Sequence, residues 1–235
     1  MRTLIFLCAL SLSTLGVKHS QAADLGLVGH WGFDEQGGDA VRDSSTNRGD
    51  GAVLGAARVE GKFGGAIKCE QDALVEVPHR EIQDHFEDGL TVSAWINRLP
   101  NTNWNMIISR EVKEGPSEYF GLAVFQNKAL FSIDPDGAHY TNVKSANDVP
   151  SGVWLHLAGT YDFKTLKLFV NGKLVNSRAF SGVFGFADTN PIVIGGNTNS
   201  KGKTWVDCFN GRIDDVRLYK RVLKDEEVAS LFVGG

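Results

Sequence analysis

The chain has 235 residues, 28 acidic and 24 basic, with a net charge of −4. That length admits one domain or at most two. The mildly acidic balance excludes a nucleic-acid or anionic-membrane binder, because no basic face offsets phosphate repulsion.

The chain opens with Arg2, an apolar run from Leu4 to Val17, and then polar residues ending in small ones at Ala22. This is the layout of a secretory signal peptide, with cleavage expected after Ala22. The run is shorter than the roughly 20 apolar residues of a membrane helix. No other run approaches that length, so no transmembrane segment is expected. Cleavage removes Arg2 and Lys18, taking the charge from −4 to −6. It also removes Cys8 and leaves Cys69 and Cys208. Two cysteines in an oxidising compartment point to one disulfide, the other reading being two buried thiols.

From residue 23 onward the chain reads as strands separated by Gly, Asn and Asp. "LVGHWGF", "GAIKCE" and "ALVEVP" come first. In "LTVSAWINRL", Leu90, Val92, Ala94 and Ile96 share one face. "MIISRE", "YFGLAVF", "ALFSID", "VWLHLAGTYD" and "LKLFVNGKLVNSRAF" follow, then "PIVIGGN" and "FNGRIDDVRLY". Asn171-Gly172 sits between two strand-like runs and predicts a hairpin with both turn residues at positive φ. "REIQDHF" suggests a helical turn at 80–86. "LKDEEVASLF" predicts one C-terminal helix, with Asp225, Glu226 and Glu227 favouring the positive end of its dipole. In "RIDDVRLY", Ile213 and Val216 are three apart, so the alternation slips at Asp214-Asp215. The slip predicts a bulge, or a strand covered on both faces, with one Asp turned inward. That carboxylate must be paired, with Arg212 or Arg217 as candidates, or bind a metal. Trp31, Phe33, Trp95, Trp154, Leu155, Leu157, Leu168 and Val170 are the expected core. The whole predicts one all-β sandwich domain over 23–235.

The ordered series "LVGHWGFDE", "VRDSSTNRGDGAV", "GKFGGAIKCEQDALVEVP", "LTVSAWI", "VPSGVWLHLAGTYD" and "FNGRIDDVRLYKRVLKDEEVASL" resembles the LamG-like jelly-roll domains of the concanavalin A-like lectin/glucanase superfamily. The resemblance implies two packed antiparallel sheets of about six or seven strands each. It also implies a structural calcium held between an early loop and the last strand, which here implicates Asp43 and the Asp214-Asp215 pair. The loop "RDSSTNRGDG" is rich in the hard oxygens calcium prefers, although an ordinary Asx-turn loop has the same composition.

The fold hosts binders and enzymes alike. The E-x-D-x-x-E strand of a retaining glycosidase is absent, as are the Gln-x-His strand and Tyr-rich final strand of the lyases. Glu81, Asp84 and Glu87 are spaced for a helical turn, and His156 between Leu155 and Leu157 reads as a surface or satisfied histidine. For a sugar surface, Trp104, Tyr140 and Trp205 lie in polar loops as stacking platforms, with Asn103, Asp136 and Asn142 as hydrogen-bonding partners. The sequence therefore points to an exported, non-catalytic module for a polysaccharide or glycoconjugate. A divergent lyase or glycosidase and a protein-adhesion or cell-envelope scaffold are the alternatives.

Overall fold

The computed structural model describes residues 25–112, 118–184, 189–198 and 205–234. The expected signal peptide lies outside the described residues. In chain order the strands are β1 (Leu27–Trp31), β2 (Ala40–Val41), β3 (Gly51–Leu54), β4 (Ala57–Glu60), β5 (Gly65–Cys69) and β6 (Leu74–Val77). A 3-10 turn, Glu81–Asp84, leads to β7 (Leu90–Arg98), β8 (Asn105–Glu111), β9 (Glu118–Phe125), β10 (Lys128–Ile133) and β11 (Thr141–Lys144). Then come β12 (Leu155–Tyr161), β13 (Thr165–Val170), β14 (Lys173–Ala179), β15 (Ile192–Ile194), β16 (Asn197–Thr198), β17 (Trp205–Val206), β18 (Gly211–Tyr219) and the helix α1 (Asp225–Gly234).

Two 8-stranded sheets face each other. The first runs β14-β13-β12-β7-β18-β5-β4, with β1 also paired to β18; the second runs β11-β10-β9-β8-β15-β6-β3-β2. The named pairs are antiparallel, so alternate residues of each strand enter the space between the sheets. Val92, Ala94 and Ile96 of β7 meet Phe131 and Ile133 of β10 in that core. The Val, Ile and Phe side chains each contribute about 1.5–3 kcal/mol by leaving water. The sheets approach closely at Gly159, where a Cβ would fall 2.2 Å from the Phe131 ring.

Local signals explain the punctuation. Asn171 and Gly172 both hold positive φ, 51° and 73°, in the β13–β14 hairpin. The phase slip at Asp214-Asp215 is a bulge: the β18–β7 register shifts between Asp214 and Arg217, and Asp215 has φ 49°. Ile213 and Val216 thereby both reach the core. α1 begins at Asp225, where Glu227 accepts a 2.8 Å bond from the Lys224 N–H and pairs with Arg221 at 2.7 Å. Its Val228 and Leu231 pack on Phe169 and Tyr219, on the outer face of the first sheet.

Three expectations about side chains need correction. Trp154 is only partly buried. Trp95 is buried but points away from the sandwich, because it is out of phase with Val92, Ala94 and Ile96; it stacks on Phe232 of α1 at 5.5 Å. His156, opposite Trp95 on β12, shares that outer face and is neither exposed nor satisfied. It is 0% exposed, and neither ring nitrogen has a hydrogen-bond partner among the described residues.

Candidate functional site

The outer face of the second sheet gathers most of the polar residues expected to bind. Its position follows from a second bulge. Arg110 opposes Phe120, but Glu111 opposes Glu118, so Tyr119 is the extra residue. Phe120, Leu122 and Val124 point into the core, and Tyr119 packs there too. Glu118 is thereby turned outward. A Cβ on Gly121 would meet Ser132 Oγ, Met106 and Glu118 within 4 Å, which places those three around one dent in the face. Met106, Ala123 and Leu130 form the small apolar floor beside it, with Trp104 packed against them.

Glu118 is the electrostatic centre. Asn197 Nδ2 donates to it at 3.1 Å, and Thr198 Oγ1 donates to its cross-strand neighbour Glu111. Ser109 Oγ holds Asn197 Oδ1 at 3.0 Å and fixes that amide's orientation. Burial pushes the Glu118 carboxyl up to about 7, and the nearby charges of Asp207, Glu111 and Asp134 push the same way. Burial likewise raises Asp207. Tyr140 is raised by burial and by the Glu118 charge, with the neighbouring Ser132 and Asn142 opposing the shift.

The expected platforms fall around this centre unevenly. Tyr140 is 41% exposed and feels the Glu118 charge, and Asn142 pairs with Ser132 across β10 and β11. Trp104 and Asn103 line a cleft of about 410 Å³ with Asn101, Phe125, Asp207 and Cys208. One Trp104 face is covered by Phe125, stacked at 4.3 Å and 16°. The Trp205 backbone pairs with Thr198, next to the Glu111 contact, while its side chain lies outside the described residues. Asp136 is not brought in; it is spent on its own turn, bonding His139 Nδ1 at 2.6 Å and the His139 N–H at 3.0 Å. The sequence reading missed Glu111, Glu118, Asn197 and Thr198. The one available signal was a Glu at each end of the 111–118 connection.

The three carboxylates expected to hold calcium do not form one ligand set. Both Asp43 oxygens are filled: Oδ1 by the N–H groups of His30 and Ser45 at 2.8 Å, Oδ2 by Gly49 N–H and Ser45 Oγ at 2.7 Å. Asp43 thus closes an Asx-type loop. Asp215 Oδ1 accepts from His30 Nε2 at 2.7 Å and from Arg217 at 2.9 and 3.1 Å. Burial would raise this carboxyl, but the His30 bond and the Arg217 charge outweigh it and hold it below the usual carboxylate range. Asp214 Oδ2 accepts the Lys62 and Phe63 N–H groups, and its buried Oδ1 has no partner among the described residues. Burial pushes Asp214 up to about 6. Among the described residues no three His, Cys, Asp or Glu side chains gather to hold a metal. One free carboxylate oxygen does not fit an ion that takes about six to eight oxygens.

Cys69 and Cys208 are free thiols in the structure. Both border the Gly195-Gly196 pair, where a Cβ would fall 2.5 Å from Cys69 Sγ and 3.7 Å from Cys208 Sγ, respectively. Burial pushes the Cys69 thiol far up, and the neighbouring Cys208 adds to it.

The profile of the concanavalin A-like lectin/glucanases superfamily matches residues 70–229, well over half of the chain. The chain belongs to this superfamily. Paraclostridial mosquitocidal protein 1 of Paraclostridium bifermentans is 24% identical over 215 residues, covering 83% of this chain and 16% of that protein. The binding domain of the same toxin superposes with a TM-score of 0.70 at 18% identity, over 89% of this chain and 52% of that one. The binding domain of botulinum neurotoxin DC, in a complex named for SialylT, gives 0.70 at 15% identity, over 90% and 52%. Domain 4 of AbnA, an extracellular arabinanase of Geobacillus stearothermophilus, in complex with arabinotriose, gives 0.68 at 20% identity, over 87% and 97%. These likenesses establish the jelly-roll fold of the superfamily. The chain spans about half of the toxin binding domains and nearly all of the arabinanase domain.

Proposed function

We propose that the chain is an exported binding module that takes a carbohydrate or glycoconjugate on the outer face of its second sheet, between the Trp104 cleft and Tyr140. The observation that carries this reading is the pair of aromatic sites on that face, the Trp104–Asn103 cleft and the 41% exposed Tyr140 near the half-buried Asn142, while Ser132, Asn197 and Glu118 are buried and back the strip. Sugar rings present apolar C–H faces to aromatics and hydroxyls to amides and carboxylates. The arabinanase domain supports the reading, because this chain matches nearly its whole length and the arabinotriose in that complex is an oligosaccharide. The toxin names support it less directly, since about half of each binding domain lies outside the match. The Arg2–Ala22 leader supports export, and no helix among the described residues is long and apolar enough to cross a membrane.

Affinity electrophoresis and a glycan array test the site. The wild type is retained by at least one polysaccharide, and Trp104→Ala and Tyr140→Ala each weaken retention about tenfold, or ~1.4 kcal/mol. Unchanged retention in both variants overturns the location. A second reading, a divergent glycoside hydrolase, is favoured by Glu118 and Glu111 standing opposite one another with one titrating near neutrality. New reducing ends that vanish in Glu118→Gln while retention survives would favour it.

We also propose that Cys69 and Cys208 join once the protein is exported, since the two thiols border the same glycine pair. Intact mass of secreted protein should rise by two hydrogens on reduction; an unchanged mass assigns them as buried thiols.

A further inference from the structure

A second cleft, of about 370 Å³, opens where β1 meets the β18 bulge. It is built from residues that the binding strip does not use, and His30, Arg42, Ser44, Asp214 and Asp215 are among its lining. Ser44 Oγ lies 2.8 Å from His30 Nδ1, and His30 Nε2 lies 2.7 Å from Asp215 Oδ1. The chain of contacts runs from solvent inward: Ser44 is exposed, the His30 side chain is 24% exposed, and the Asp215 side chain is 7% exposed.

Each member is held by the fold. Asp43 accepts the His30 N–H, and the Ser44 N–H bonds the His30 carbonyl at 2.9 Å, so the serine and histidine backbones are clamped together. The bulge at Asp215 turns its carboxylate toward His30, and Arg217 grips the same oxygen. An ionised Asp215 takes the Nε2 proton as its hydrogen bond, which leaves Nδ1 as the basic nitrogen facing Ser44. Ser44 Oγ also stands 3.1 Å from the His30 carbonyl, so its proton has two acceptors and Nδ1 is the nearer. The Arg42 guanidinium lines the same cleft with no hydrogen bond or ion pair among the described residues.

We propose that Ser44, His30 and Asp215 form a hydrolytic site for small carboxylic esters. Ser44 Oγ attacks the acyl carbon while its proton passes to His30 Nδ1, and Arg42 faces the oxygen that becomes negative. The ester C–O bond then breaks, and the alcohol leaves with the proton from His30. Water, giving a proton to the same nitrogen, attacks the acyl-Ser44 carbon. The acid departs and Ser44 regains its proton, so ester and water become acid and alcohol. Asp215 acts as a positioning residue that sets the His30 tautomer. The cleft lies near the lower end of the ~300–1,000 Å³ range of ligand pockets, which selects a short acyl group.

This site shares no residue with the Trp104–Tyr140 strip, so either can fail alone. The test uses the full chain with 4-nitrophenyl acetate and with a fluorophosphonate probe read by peptide mass mapping. The wild type should hydrolyse the ester above the buffer rate and carry the phosphonate on Ser44. Ser44→Ala should lose both while keeping its melting temperature and glycan retention. His30→Gln should slow hydrolysis about 100-fold. Hydrolysis by Ser44→Ala at the wild-type rate, or a wild type with no adduct on Ser44, overturns the proposal.

Discussion

At pH 8, Glu118→Gln is expected to raise the melting temperature by about 5 °C or more; at pH 4 it should change nothing. The carboxyl is buried, stands opposite Glu111, and is pushed from 4.5 up to about 7. Because the folded value lies above the unfolded one, the folded state holds its proton more tightly. That stability is complete below about 4.5 and is lost as the pH rises through 7. The shift corresponds to something of order 3 kcal/mol, and each kcal/mol moves the midpoint of a domain this size by about 2–4 °C. Gln keeps the oxygen that Asn197 bonds and never ionises, so the gain should appear only where the wild type is charged. Calorimetry at the two pH values checks this. A Gln variant that melts lower at pH 8 would mean that a cation supplied elsewhere on the face stabilises the Glu118 charge.

The sheets were legible because their signals are local. Asn171-Gly172 forces positive φ at adjacent residues, and the three-residue spacing from Ile213 to Val216 requires an extra residue between them. Helix α1 announces itself through acids in its first turn. The outward turn of Glu118 gave no such sign. "YFGLAVF" alternates smoothly from Phe120 to Val124, and the bulge at Tyr119 is defined only by what β8 places opposite it. Asn197 and Thr198 reach the carboxylates through a two-residue strand too short to stand out in any periodicity. The loop-closing bonds of Asp43 were hidden for a related reason. An oxygen-rich loop looks the same whether its carboxylate awaits a cation or is filled by four donors from its own surroundings, and only the fold reveals those donors. His30 and Asp215 are 185 positions apart, so their contact is a product of β1 pairing with β18.

His156→Leu should raise the melting temperature at pH 7, and the gain should widen as the pH falls to 4. In the wild type the ring packs beside the stacked Trp95 and Phe232, at 5.5 and 6.5 Å, with both nitrogens unpaired within the described residues. An unpaired buried polar group costs about 1–3 kcal/mol, which Leu of similar bulk removes. Burial pushes the imidazole down from 6.5 to about 4, with Asp215 opposing and Arg217 assisting that shift. A folded value below the unfolded one means that the unfolded chain takes the proton first. The stability tied to a neutral His156 is therefore complete above about 6.5 and lost as the pH falls through 4. Leu cannot titrate, so the variant escapes that acid limb. Melting curves at pH 7, 5.5 and 4 separate the two contributions: the neutral-pH gain reports the unpaired nitrogens, and the widening reports the proton. A constant gap would assign the whole effect to packing. A loss at every pH would mean that the imidazole has a hydrogen-bond partner within the space under α1, and that the C-terminal helix is held on the sheet partly through it.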